Sequence, residues 1–338
     1  MASYCKVVSS NPSLSAHARA SSGASYASFS TSLAKGGLSS IQQALYDLDL
    51  PESLSVFTAG SASKFEIPFP ELEPISLVFV CDGSTRKATQ KKIHHLASSH
   101  FPAASLHVEW KDPNSDPLSR SHRVQTAFPS HFLHRQRLFG CSKNQDRLLF
   151  QFVREIQEMP GKERQKFRKS FVKNHLKQLA ATIEGKDIRG VDLKKGMMFY
   201  DSKKRQATKY SLLLPIQYVL DLRIIDAIRV LSHWPKDYVS FLKFMPNKIS
   251  ELIDYMFAER LLPELDKQDI QDLKQAYEFG LFYNQIGQEF YAISKGKKTA
   301  FPITDDRRLQ QAYANAQRIL SKIDSSQYCR SNRSPKLY

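Results

Sequence analysis

Between residues 54 and 80 the chain carries a Gly-Ser pair, Gly60-Ser61, and after a nine-residue spacer two carboxylates, Glu71 and Glu73. The run Leu54-Ser-Val56-Phe57-Thr-Ala ahead of Gly60 predicts a strand that delivers a tight turn. Such a turn offers backbone N–H groups and a hydroxyl to a triphosphate. Glu71 and Glu73 stand just before the apolar run Ile75–Val80. In extended chain, side chains at i and i+2 point to one side. Two carboxylates on one side supply the oxygen ligands that Mg²⁺ or Mn²⁺ takes. Glu109, in Leu106-His107-Val108-Glu109-Trp110, is an acid among apolar neighbours and needs a partner. Two metals held by three carboxylates stabilise both the attacking and the leaving oxygen of an in-line phosphoryl displacement. The same residues also fit plainer roles. Glu71 and Glu73 suit a solvated Pro-rich loop, Glu109 an edge strand facing water, and Lys64 and Glu66 an ion pair with each other.

The elements that must position these groups follow from periodicity. Ile41, Leu45, Leu48 and Leu50 predict a short helix from Ser39, stopped by Pro51. Strands are expected over 54–59, 75–80 and 106–110, and a helix over 86–99. Helix, strand, strand, helix, strand reads as a small α/β domain. After about residue 125 strand signals fade. Amphipathic helices are expected at 145–158, 162–183, 208–232, 239–260, 267–293 and 305–323. That composition predicts a helical bundle. Residues 1–38 are Ser-rich, with no acid before Asp47, and are expected to be disordered or to act as an organelle transit peptide. Residues 326–338 are expected to be a flexible tail.

The chain has 338 residues and a net charge of +16, so its partners are expected to be anionic. Between Pro160 and Tyr210 stand fifteen bases and five acids. A solvated face normally mixes signs, so this cluster suits phosphate, an acidic protein or RNA. Aromatic residues for base stacking are sparse there, which counts against RNA. The four cysteines form no Cys-x-x-Cys pair, and the histidines show no zinc spacing, so they read as surface residues. No apolar run approaches a membrane span. A cytoplasmic location is expected, with an organelle or secretion as the alternative.

The order Gly-Ser, spacer, acid-x-acid and later strand acid resembles the DNA polymerase β-like nucleotidyltransferases. Gly60-Ser61-x-x-Lys64-x-Glu66 is similar to the Gly-Ser-x-x-Arg-x-Glu opening of the branch holding protein-PII uridylyltransferases and glutamine synthetase adenylyltransferases. Arg137-Leu-Phe-Gly140 resembles an Arg-Leu-x-Gly that closes a helix after the catalytic sheet in that branch. The resemblance implies an α+β chain: a small mixed-sheet nucleotidyltransferase domain (39–140) followed by an all-α helical bundle (141–325). It implies transfer of a nucleoside monophosphate from an NTP to a protein or small acceptor. Glu71, Glu73 and Glu109 would be catalytic and hold the metal. Gly60, Ser61 and Lys64 would hold the nucleotide. The chain departs from the pattern in using two Glu where Asp is usual, in Pro74 after the pair, and in Lys64 for Arg. A second alignment sets the metal pair at Pro74 and Ser76. It implies a catalytically inactive module that binds a nucleotide or a protein partner.

Overall fold

The computed structural model of the chain describes residues 23–66, 75–81, 83–99, 106–111, 133–186, 190–201, 205–230, 235–293, 299–303 and 306–325. It is a mixed α+β protein, mostly helical. Two compact units share the chain. One holds Ser30–Phe167 and Ile224–Leu252; the other holds Arg168–Arg223 and Ile253–Tyr338 with Met1–Phe29. Both are therefore discontinuous, whereas a linear reading draws one boundary near residue 140.

The first unit is built on a four-stranded sheet. Its strands are β1 (Ser55–Ala59), β2 (Ile75–Val80), β3 (Leu106–Lys111) and β4 (Arg135–Gly140), in the order β3-β2-β1-β4. β1 runs antiparallel to both β2 and β4, and β2 runs parallel to β3. A parallel neighbour requires a crossover, which α2 (Gly83–Ser99) provides. One face of the sheet is dry. Val56, Leu77 and Phe79 pack in one cluster with Ile41 and Leu45 of α1 (Gly23–Tyr46) and Ile93 of α2. Alternation turns Phe57, Val78 and Val80 to the other face, where they form a second cluster. α3 (Ser142–Glu158) is tied to the start of β1: Asn144 Nδ2 donates to the Ser53 carbonyl (2.9 Å), and Ser55 Oγ donates to the Cys141 carbonyl (2.9 Å). The unit is completed by α4 (Gly161–Phe167), the end of α6 (Leu214–Val230), α7 (Pro235–Phe244) and the first turn of α8 (Ile249–Ala258).

The second unit pairs long helices with a small sheet. The helices are α5 (Asn174–Ile183), the start of α6, α9 (Lys267–Ile293) and α10 (Asp306–Ser325). Two π-helical turns, Arg168–Lys173 and Lys209–Leu213, lead into α5 and α6. Strands β5 (Val191–Asp192), β6 (Met197–Asp201) and β7 (Arg205–Gln206) pair in order, and β8 (Thr299–Pro302) pairs antiparallel with β6.

Four expectations change here. The region after residue 140 is not all-α, because β5–β8 form an antiparallel sheet in it. Two of its strands are only two residues long, and β8 reaches β6 across about a hundred residues of sequence, beyond any local window. Arg137-Leu-Phe-Gly140 closes a strand rather than a helix, since β4 pairs with β1. Residues 23–38 are helical, as α1 begins at Gly23 and not at Ser39. Residues 1–22 and the tail at 326–338 lie outside the described residues. The helix expected over 239–260 is two helices, because Pro246 cannot continue the first.

A candidate phosphate-binding edge on the sheet

β1 ends at Ala59 and runs directly into the turn Gly60–Glu66. Gly60 sits at φ +67, a left-handed conformation that glycine takes without steric penalty. The turn closes through its own backbone hydrogen bonds. The N–H of Lys64 donates to the Ser61 carbonyl (3.3 Å), that of Phe65 to Ala62 (3.1 Å) and that of Glu66 back to Ser61 (3.0 Å). Phe65 takes the positive φ of +59 that this closing geometry requires. The buried Ser63 hydroxyl lies 2.8 Å from the Gly60 carbonyl oxygen and 2.6 Å from that of His134. It therefore fastens the turn to the residue that precedes β4. His134 is fully buried, so it is not the surface residue its sequence context suggests.

The strand register gathers the rest. Ala59 pairs with Ser76 on one side and Arg135 on the other, and Ser76 pairs with His107. His107, Ser76, Ala59 and Arg135 thus form one row across the sheet, beside the Gly60 turn. Two pairings further along the strands stand Glu109, Val78, Phe57 and Arg137. Of the predicted site, Gly60 and Ser61 stand at this edge, and the register sets the Glu109 backbone two pairings from it. Glu71 and Glu73 lie outside the described residues. β2 begins at Ile75, next to the edge.

Lys64 is paired within the turn. Its Nζ lies 3.4 Å from Glu66 Oε2, and the two side chains are only 5% and 9% exposed. Of the two roles its sequence offers, the ion pair with Glu66 is the one seen, and it lies buried in the turn.

Arg135 was not singled out by its sequence, and Arg137 only as the head of the Arg-Leu-x-Gly run. A signal was present: Arg135-x-Arg137 beside Leu138 shows the period of two that sets both bases on one face of a strand. Arg137 is exposed. Arg135 is half-buried overall, yet its Nη1 is enclosed and meets no hydrogen-bond acceptor among the described residues. Burial draws its guanidinium down to about 10, with Asp146 pulling the other way. Asp146 is shared, since Lys243 of α7 approaches it to 3.2 Å.

Several bases of the 160–210 stretch are paired. Arg164 is bonded to Asp226 (2.6 Å), Arg168 to Asp324, and Lys186 to Glu184 (2.6 Å). Lys169, Lys173 and Lys177 are exposed at four-residue spacing along the π turn and α5. Among the described residues no helix is long and apolar enough to cross a membrane. No protein-family model matches the chain, and no curated protein matches it in sequence.

Proposed function

We propose that the Gly60–Ser61 edge binds a nucleoside triphosphate, and that the protein transfers the nucleoside monophosphate to a protein or small acceptor, as its resemblance to the polymerase β-like nucleotidyltransferases implies. The observation that carries this reading is the register. The Gly-Ser turn, the head of β2 and the acid-bearing β3 meet along one sheet edge, and Ser63 anchors the turn there. A strand that ends in a rigid turn beside a second strand head is suited to hold a phosphate chain by backbone N–H groups.

In this reading the acceptor oxygen forms a bond to the α-phosphorus, and the bond to the bridging oxygen breaks. Pyrophosphate leaves with that electron pair, and Glu109 takes the acceptor proton. Glu71, Glu73 and Glu109 would hold Mg²⁺ or Mn²⁺, whose charge would offset that of the phosphates. Carboxylates are suitable donors for such an ion; only Glu109 among them has a described backbone position, opposite Val78. An acidic protein acceptor suits the net charge of +16 and the exposed lysines.

A second reading, an inactive nucleotidyltransferase-like binding module, is favoured by one observation. Ser76 pairs with Ala59 at the edge itself, where the alternative alignment sets a metal ligand. The two readings separate on transfer from each α-labelled NTP with Mg²⁺ or Mn²⁺. The first expects label on an acceptor, and its absence alongside nucleotide binding indifferent to metal supports the second.

A further inference from the structure

We infer that Arg135, and not Lys64, is the side chain that takes the phosphate charge at the Gly60–Ser61 edge. The inference rests on the reading of that edge as a phosphate site.

Six observations support it. Arg135 directly follows His134, whose carbonyl meets the Ser63 hydroxyl of the turn at 2.6 Å. Its backbone pairs with Ala59, the residue before Gly60. Its Nη1 is enclosed without an acceptor among the described residues. A buried cation is costly unless something hydrogen-bonds and neutralises it. Asp146 is the opposite charge that acts on Arg135, and Asp146 is itself engaged by Lys243. Lys64 is committed to Glu66. A guanidinium offers a fixed fork of donors that matches a phosphate, so an enclosed and unsatisfied one on the strand residue paired with Ala59 suits a phosphoryl oxygen. Arg137, two residues on, has the same strand parity and is exposed as a second cation.

The test titrates inorganic triphosphate into the full chain by calorimetry and by thermal unfolding. It uses wild type, Arg135→Met, Arg135→Lys and, as a control for general charge, Lys173→Met. Arg135→Met should weaken triphosphate binding by about tenfold or more, as expected for losing hydrogen bonds to a charged group. Arg135→Lys should fall between wild type and Arg135→Met, and Lys173→Met should match wild type. Without ligand, Arg135→Met should melt no lower than wild type, because it removes an unsatisfied buried charge. Wild-type affinity in Arg135→Met overturns the inference, as does a wild type that binds no triphosphate. If Arg135→Met does not fold, wild-type affinity in Arg135→Lys overturns it instead. Label transfer on the same proteins separates the two claims. Undiminished transfer by Arg135→Met removes the role of Arg135 and leaves the enzyme. Arg135-dependent binding without transfer by any protein removes the enzyme and leaves the phosphate site.

Discussion

Lys64 and Glu66 show how a residue that resembles a ligand contact can be a structural one. The pair is 3.4 Å apart and nearly enclosed. Removing one member leaves the other charged and buried, at a cost of about 3–5 kcal/mol. Glu66→Ala should therefore lower the urea stability by that order, while the double change Lys64→Met/Glu66→Leu should recover much of it. Equal losses in the single and double variants would contradict the pairing. His175 gives a second case at this scale. Its Nδ1 meets the Phe171 carbonyl, and its ring lies edge-on to Tyr218 with centroids 4.8 Å apart. Burial lowers its pKa below the ordinary 6.5, partly offset by the Phe171 contact. The fold therefore favours neutral His175. That stability is complete above pH 6.5 and is lost as the pH falls through the lowered folded value. His175→Gln should flatten the decline between pH 7 and pH 5 in chemical unfolding, and an unchanged decline would remove His175 as its source. What residue types alone could not supply is burial: Arg135 and Lys64 are both bases near the turn, and only the register and the packing tell the enclosed, unsatisfied one from the paired one.

Elements depend on a few close approaches and clasps. Gly140 ends β4 at φ +84, and a Cβ there would stand 1.8 Å from the Leu54 carbonyl oxygen. Gly140→Ala should cost about 3 kcal/mol from overpacking and backbone strain together, read as a shifted unfolding midpoint. A midpoint within error of wild type would contradict this geometry. The α9–α10 pair is held by Asp269, which is bonded to Arg318 and, at 2.7 Å, to Lys322. It also closes the start of α9, where the Asp269 N–H donates to Asp266 Oδ1 (2.8 Å). Burial pushes the Asp269 pKa up, but the bonds from Lys322, Arg318 and the Asp266 backbone outweigh it and hold it below the ordinary 3.8. The stability it brings is present above about pH 3.8 and disappears as the pH drops through the lowered value. Asp269→Asn should destabilise the protein at pH 7 by about 1 kcal/mol, since the cations it leaves are partly exposed, and lessen its acid sensitivity. Elements of this length were legible in the sequence. Ile41 and Leu45 marked α1, and the apolar run at 75–80 marked β2. β4 was marked only by the period of two in Arg135-x-Arg137, a faint signal without an apolar run, and its pairing with β1 is what makes it a strand. The β6–β8 pair was not legible, because its partners lie far apart in the chain. The start of α1 was missed because Ser and Gly are weak helix formers, and packing of Leu38 and Ile41 overrides that weakness.

At the scale of the whole molecule, a net charge of +16 predicts salt-sensitive attraction to anions in general. The exposed Lys169, Lys173 and Lys177 belong to that general field, whereas the specific site we propose lies at the Gly60–Arg135 edge. Replacing the three lysines with alanine should reduce retention on a heparin column and leave triphosphate affinity unchanged. Loss of triphosphate binding in that variant would move the site to the lysines. The central claim is nucleotidyl transfer at the sheet edge. It is tested most directly by incubating wild type and Glu71→Gln/Glu73→Gln with each α-labelled NTP, Mg²⁺ or Mn²⁺ and a lysate. The account predicts label on an acceptor with wild type alone. No transfer by either protein, with equal and metal-indifferent nucleotide binding, would contradict it.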